Sequence, residues 1–101
     1  MPHAERVVHV DSSDVRVTEW RLGPGASTKH CCHTCDCVVV PLTSGRLRFR
    51  RADGDIVVDI VPGAPVLRSA PAELEALNDG ADRIAFVEIE LKDTARRLIS
   101  A

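Results

Sequence analysis

The sequence predicts a single all-β domain of short strands, which means a sandwich, a jelly roll or a barrel. Two observations carry this: apolar residues recur with period two in nearly every segment, and turn signals return about every ten residues. Length is the third. A chain of 101 residues has room for one core and not for a second independent domain, so residues 1–101 form one unit with its core at about 15–92.

Taken in order, Arg6-Val7-Val8-His9-Val10 reads as a first strand that ends at the turn Asp11-Ser12-Ser13-Asp14. Val15 to Leu22 is the second. Its apolar positions change parity between Val17 and Trp20, which predicts a bulge or a change of partner sheet there. Gly23-Pro24-Gly25 breaks the chain. Val38-Val39-Val40-Pro41-Leu42 is apolar on both faces and is expected at a buried, central position. Thr43-Ser44-Gly45 turns into Leu47-Arg48-Phe49, whose inward pair is flanked by Arg46, Arg48, Arg50 and Arg51. Such a stripe could grip an anionic ligand, and its alternation reads more simply as a solvated outer face.

Asp53-Gly54 is a hairpin signal, followed by strands at Ile56–Val61 and, after Pro62-Gly63-Ala64-Pro65, at Val66-Leu67-Arg68. Pro71 to Leu77 is ambiguous: the proline and the good helix formers suit a short helix, while the surrounding β pattern suits a strand. Arg83 to Leu91 is the longest strand, read with Val87, Ile89 and Leu91 inward and Glu88 and Glu90 outward. The tail, Thr94 to Ala101, has room for one or two helical turns. That gives some eight short strands. Trp20, Phe49 and Phe86 are expected as core anchors, and His3 and His9 carry no readable chemistry.

Composition excludes several classes of function. A formal charge of −2 argues against a dedicated nucleic-acid surface. No segment approaches the roughly 18–20 apolar residues that span a bilayer. The first ten residues lack the basic and apolar regions of a secretory signal, so the expected location is the cytoplasm, where thiols stay reduced. Aromatic residues are 3% of the chain and tyrosine is absent, which leaves an aliphatic core with few stacking platforms.

Against that background four cysteines stand out, all between positions 31 and 37. The segment reads His30-Cys31-Cys32-His33-Thr34-Cys35-Asp36-Cys37 and runs straight into the valines. A disulfide here ties the loop only to itself, so metal ligation or thiol chemistry is the better reading. If the pleat extends backwards from the valines, Cys31, His33, Cys35 and Cys37 share one face. Thiolate and imidazole are the donors that hold zinc, copper or iron. Cys31, His33 and Cys37 make a three-donor set, with Cys35 as a fourth ligand or an exposed thiol. The competing reading makes these cysteines small hydrophobes of a metal-free core. Cys32 and Cys35 form a C-x-x-C without the following helix that lowers a thiol pKa.

Pro24-Gly25, the Cys31-x-His33 pair, Asp36, Val38-Val39-Val40-Pro41-Leu42 and Gly45 resemble the first motif of the cupin superfamily. Gly63, Arg68-Ser69-Ala70 and Asn78-Asp79-Gly80 look like its second, and Phe86 to Lys92 is similar to the last strand of small bacterial cupins. The resemblance spans Val15 to Lys92. It implies a conserved jelly-roll barrel, commonly a homodimer, that usually holds one transition metal through H-x-H-x-x-x-E and a later His. By that pattern the ligand positions fall on Cys31, His33, Cys37 and Leu74, so only His33 is retained as such. Asp36 takes a hydrogen-bonding role behind the ligands.

The expectation is a cytoplasmic homodimeric cupin that binds one transition metal, zinc first and copper or iron after it, and an unidentified small molecule. As an enzyme it would use the metal as Lewis acid or dioxygen-binding centre. A redox sensor and a metal-free structural or small-molecule-binding barrel are the other two classes.

Overall fold

The computed structural model describes residues 3–28, 31–33, 35–68 and 72–92, with 31–33 and 72–74 described by their backbone alone. The tail from Thr94 to Ala101, together with His30, Thr34 and Pro71, lies outside the described residues. Nine strands are present among the described residues. They are β1 (Ala4–Asp11), β2 (Val15–Leu22), β3 (Cys31–His33), β4 (Asp36–Pro41), β5 (Gly45–Arg51), β6 (Ile56–Ile60), β7 (Val66–Arg68), β8 (Ala72–Leu77) and β9 (Ile84–Leu91).

All pairings are antiparallel, in two sheets. One runs β1-β2-β9-β4-β7, the other β3-β8-β5-β6. The two close face to face on a core of Leu22, Val39, Leu47, Ile60, Ile84 and Phe86, with Trp20, Phe49 and Val58 packed against it. This is the all-β architecture that the period-two pattern predicts, of the jelly-roll type that the resemblance implies, and the three aromatic residues are the anchors expected. β4 lies inside its sheet between β9 and β7, which accounts for apolar residues on both its faces.

Three local expectations are corrected and one ambiguity is resolved. β2 runs in unbroken register against β9, and the irregularity lies instead in β1, between Val8 and Val10. The edge strand absorbs the extra residue because only one side of it is paired. The ambiguous segment is a strand: β8 is held between β3 and β5, and tertiary pairing overrides its helix formers. In β9 the parity is opposite to the expectation, with Ile84, Phe86 and Glu88 buried and Val87, Ile89 and Leu91 half-buried on the far face. Finally, the arginine stripe splits. Arg46, Arg48 and Arg50 pair with Asp59, Asp79 and Glu75, while Arg51 falls in phase with Leu47 and Phe49.

The motif glycines and Asn78 are structural. The Asn78 side chain is fully buried and donates to the carbonyls of Leu22 (2.9 Å) and Asp82 (2.8 Å) while accepting from Gly80 N–H (3.1 Å). Its backbone accepts from Gly25 N–H (2.7 Å) and donates to Ala26 O (3.0 Å). Gly25 has φ +81°, which a side chain disfavours. At Gly45 the reason is proximity, since a Cβ there would lie 2.7 Å from Ile84 Cγ2.

The outer face of the larger sheet carries a central apolar row. Cross-strand pairing sets Val10, Val17, Ile89, Val38 and Leu67 in one row over five strands, with Val15, Val40, Val87 and Leu91 in the rows beside it. Val10 and Leu67 at the two ends of that row are 45% and 62% exposed.

Candidate functional site

The cysteine segment does not run as one strand. Cys31 and His33 belong to β3 in the smaller sheet, and the chain crosses to the larger sheet before β4 begins at Asp36. A single ladder of ligands is therefore replaced by two pairs on facing walls. In the smaller sheet Cys31 stands opposite Leu74 and His33 opposite Ala72, and Leu74 in turn stands opposite Arg51. Ala76 of the same strand is buried in the core.

On the facing wall Cys35 and Cys37 are both buried and unbridged. Two interior rows cross this sheet. One holds Arg16, Glu90, Cys37 and Arg68; the next holds Thr18, Glu88, Val39 and Val66. Polar side chains thus line part of the barrel, and they pair among themselves. Arg68 Nη2 donates to Glu88 Oε2 at 2.5 Å, and Trp20 Nε1 donates to Glu88 Oε1 at 2.6 Å. Cys37 Sγ lies 3.9 Å from Glu88 Oε2, within the reach of a weak thiol donor. The Arg6 guanidinium sits over the Trp20 ring at 6.0 Å.

Burial pushes the Cys37 thiol up to about 12, with Arg68 opposing the shift and Glu88 and Glu90 adding to it. Cys35 is also raised, by burial and then by Glu90. Both are neutral thiols at physiological pH unless something takes the proton. Thr18 Oγ1 is buried and has no hydrogen-bond partner among the described residues, directly across the strand pair from Glu88.

Glu88 is the residue that sequence reasoning missed. The segment Ile84-Ala85-Phe86-Val87-Glu88-Ile89 has apolar residues at both parities, so alternation alone does not choose the inward set. Phe86 carries the signal that decides it: the largest side chain of the strand is buried, and Glu88 lies two residues on.

No protein-family model matches the chain. It is 43% identical over 91 residues to a β-alanine degradation protein, BauB, of Pseudomonas aeruginosa, covering 90% of this chain and 96% of that one. A solved cupin domain from Bordetella pertussis is 36% identical and superposes with a TM-score of 0.85, covering 90% of this chain and 95% of the other. The chain is a small cupin. A cupin from Methanocaldococcus jannaschii, at 13% identity and TM-score 0.74, shares the double-stranded β-helix over 94% of this chain and 86% of its own.

In this cupin Gly25, Gly45 and Asn78 of the two motifs do structural duty. Among the described residues no group of three or more His, Cys, Asp or Glu side chains is assembled to hold a metal. The donor types nevertheless fit a soft cation, with two buried thiols on one wall and a Cys-x-His pair in the strand of the other. Leu74 supplies no donor. No helix of the described residues is long and apolar enough to cross a membrane.

Proposed function

We propose that this cupin binds one transition metal ion, zinc in the first place, inside the barrel through Cys31, His33 and Cys37, with Cys35 as a fourth donor. The observation that carries the reading is the crossover after His33: it divides the soft donors between two facing sheets, and donors on opposite walls converge on one ion where a single flat strand does not. Bound metal would supply a Lewis acid and would hold the thiols ionised. The chain's own contribution is the buried Glu88, fixed by Arg68 and Trp20 beside Cys37. The likeness to a β-alanine degradation protein supports a role in the breakdown of that amino acid or a close relative.

Elemental analysis of protein purified without a nickel column tests the metal. About one equivalent per chain, lost in Cys31→Ser and Cys37→Ser, is the expected result. Near-zero metal with all four thiols titratable overturns it. The second reading, a metal-free structural, small-molecule-binding or redox-sensing barrel, requires that metal-free result.

We also infer a homodimer through the apolar row on the outer face of the larger sheet. A five-strand apolar row is broad for a surface left in water. Its β1–β2 margin carries His9, Glu19, Arg21 and Glu5, both signs together, which suits pairing with a second copy across a two-fold axis. Ile89→Glu in the centre of that row is expected to give a folded monomer by sedimentation. Unchanged mass overturns this interface.

A further inference from the structure

Beside the cysteine segment, and lined by none of its residues, the barrel holds a cavity of about 180 Å³. It opens where the two sheets part, between β6 and β7, each of which is an outermost strand of its sheet among the described residues. Its floor is Val39, Val58 and Ile60, and its rim is Ile56 and Leu67, both well exposed. For scale, a dry cavity of roughly 150 Å³ accepts benzene.

The lining includes two charged side chains, and both are arginines. Arg51 comes from the smaller sheet and Arg68 from the larger. Arg51 is the arginine that leaves the outer stripe and points with the core-facing residues of β5. Its carboxylate neighbour, Asp53, lies 3.4 Å away and is 77% exposed, so that pair is weak and readily shared. Arg68 is held in place by Glu88. Apolar walls with guanidinium groups from both sides match a ligand that has one anionic end and a short apolar body. The lining offers no carboxylate to a cationic group.

We propose that this cavity is a binding site for a short aliphatic monocarboxylate, its carboxylate taken by Arg51 and Arg68 and its chain laid on Val39, Val58 and Ile60. The site goes beyond the metal reading and does not require the metal. Arg51 confers the selectivity for an anion, and the cavity volume limits the length of the chain.

Butanoate is the probe, added to ¹⁵N-labelled protein as purified, with butanol, butylamine and β-alanine as controls. Saturable shifts at residues of β6 and β7 with butanoate, and not with the alcohol or the amine, are expected. Arg51→Gln should weaken butanoate at least tenfold, and Val58→Phe, which fills the cavity, should abolish binding with the rest of the spectrum unchanged. Equal binding of butanol, or of β-alanine with its ammonium group, overturns the ligand class. Butanoate that is unaffected by Arg51→Gln but lost in Cys37→Ser sits on a metal and overturns the site. No saturation at tens of millimolar overturns it outright. Because the readout is binding at Arg51, a failure of the metal proposal leaves Cys31→Ser binding butanoate normally.

Discussion

Asn78 and Glu88 are both buried polar residues of one small barrel, and they are satisfied in opposite ways. Asn78 is neutral, and its amide meets only backbone groups, from the end of β2 and the turn before β9. Glu88 faces side chains alone: a guanidinium, an indole and a thiol. A backbone-satisfied amide fixes where chain segments lie and offers nothing to a ligand. A carboxylate held by side chains organises reactive groups, and every one of those groups can be replaced. The first region ties backbone segments together, and the second is a side-chain network on the barrel wall.

The largest effect that tests this contrast comes from Glu88. Glu88→Leu leaves the Arg68 guanidinium buried without its carboxylate, and a loss of about 3–5 kcal/mol is expected in urea unfolding. Adding Arg68→Met should restore most of it, because the pair is dispensable to the fold once both charges go. Asn78→Ala should cost about 2–3 kcal/mol, since two carbonyls and one N–H lose their partner together. No single second substitution should rescue it, because the partners are backbone.

Smaller effects sharpen the scaffold side. Gly45→Ala should cost about 1–2 kcal/mol by overpacking against Ile84, and less in an Ile84→Leu background, which lacks the clashing branch. Next to Asn78, Arg48 donates to Asp79 at 2.7 Å and holds its carboxyl below the usual value. A lowered folded-state pKa contributes stability that is present above the unfolded value of 3.8 and is lost as pH falls through the folded one. Asp79→Asn should therefore leave the neutral-pH melting temperature nearly unchanged and make the decline below about pH 4 slightly shallower. A steeper acid decline in that variant contradicts the sign.

Much of the scaffold was legible and the chemistry was not, for a physical reason. Strands, turns and the aromatic anchors follow from local alternation, which Val38-Val39-Val40 or Asp53-Gly54 announce unaided. The parity of β9 does not, because Phe86 and Val87 are both good strand residues and only the packing of Phe86 selects between them. The identity of β8 is likewise decided by its neighbours β3 and β5. The resemblance located Gly25, Gly45 and Asn78, whose roles are set by backbone geometry. It was silent on Glu88 and Arg51, whose roles depend on which side of the sheet they face.

The position of β9 bears on how the barrel is made. It is the last of the described strands in sequence, yet it lies in the middle of the larger sheet with β2 on one side and β4 on the other. During synthesis β2 and β4 emerge early and wait with open edges until residues 84–91 leave the ribosome. Hairpins such as β5–β6 can close at once, while the central seam depends on contacts between distant parts of the chain. Until that strand arrives, the nascent chain presents two unpaired apolar edges to other proteins, and aggregation is the hazard it faces.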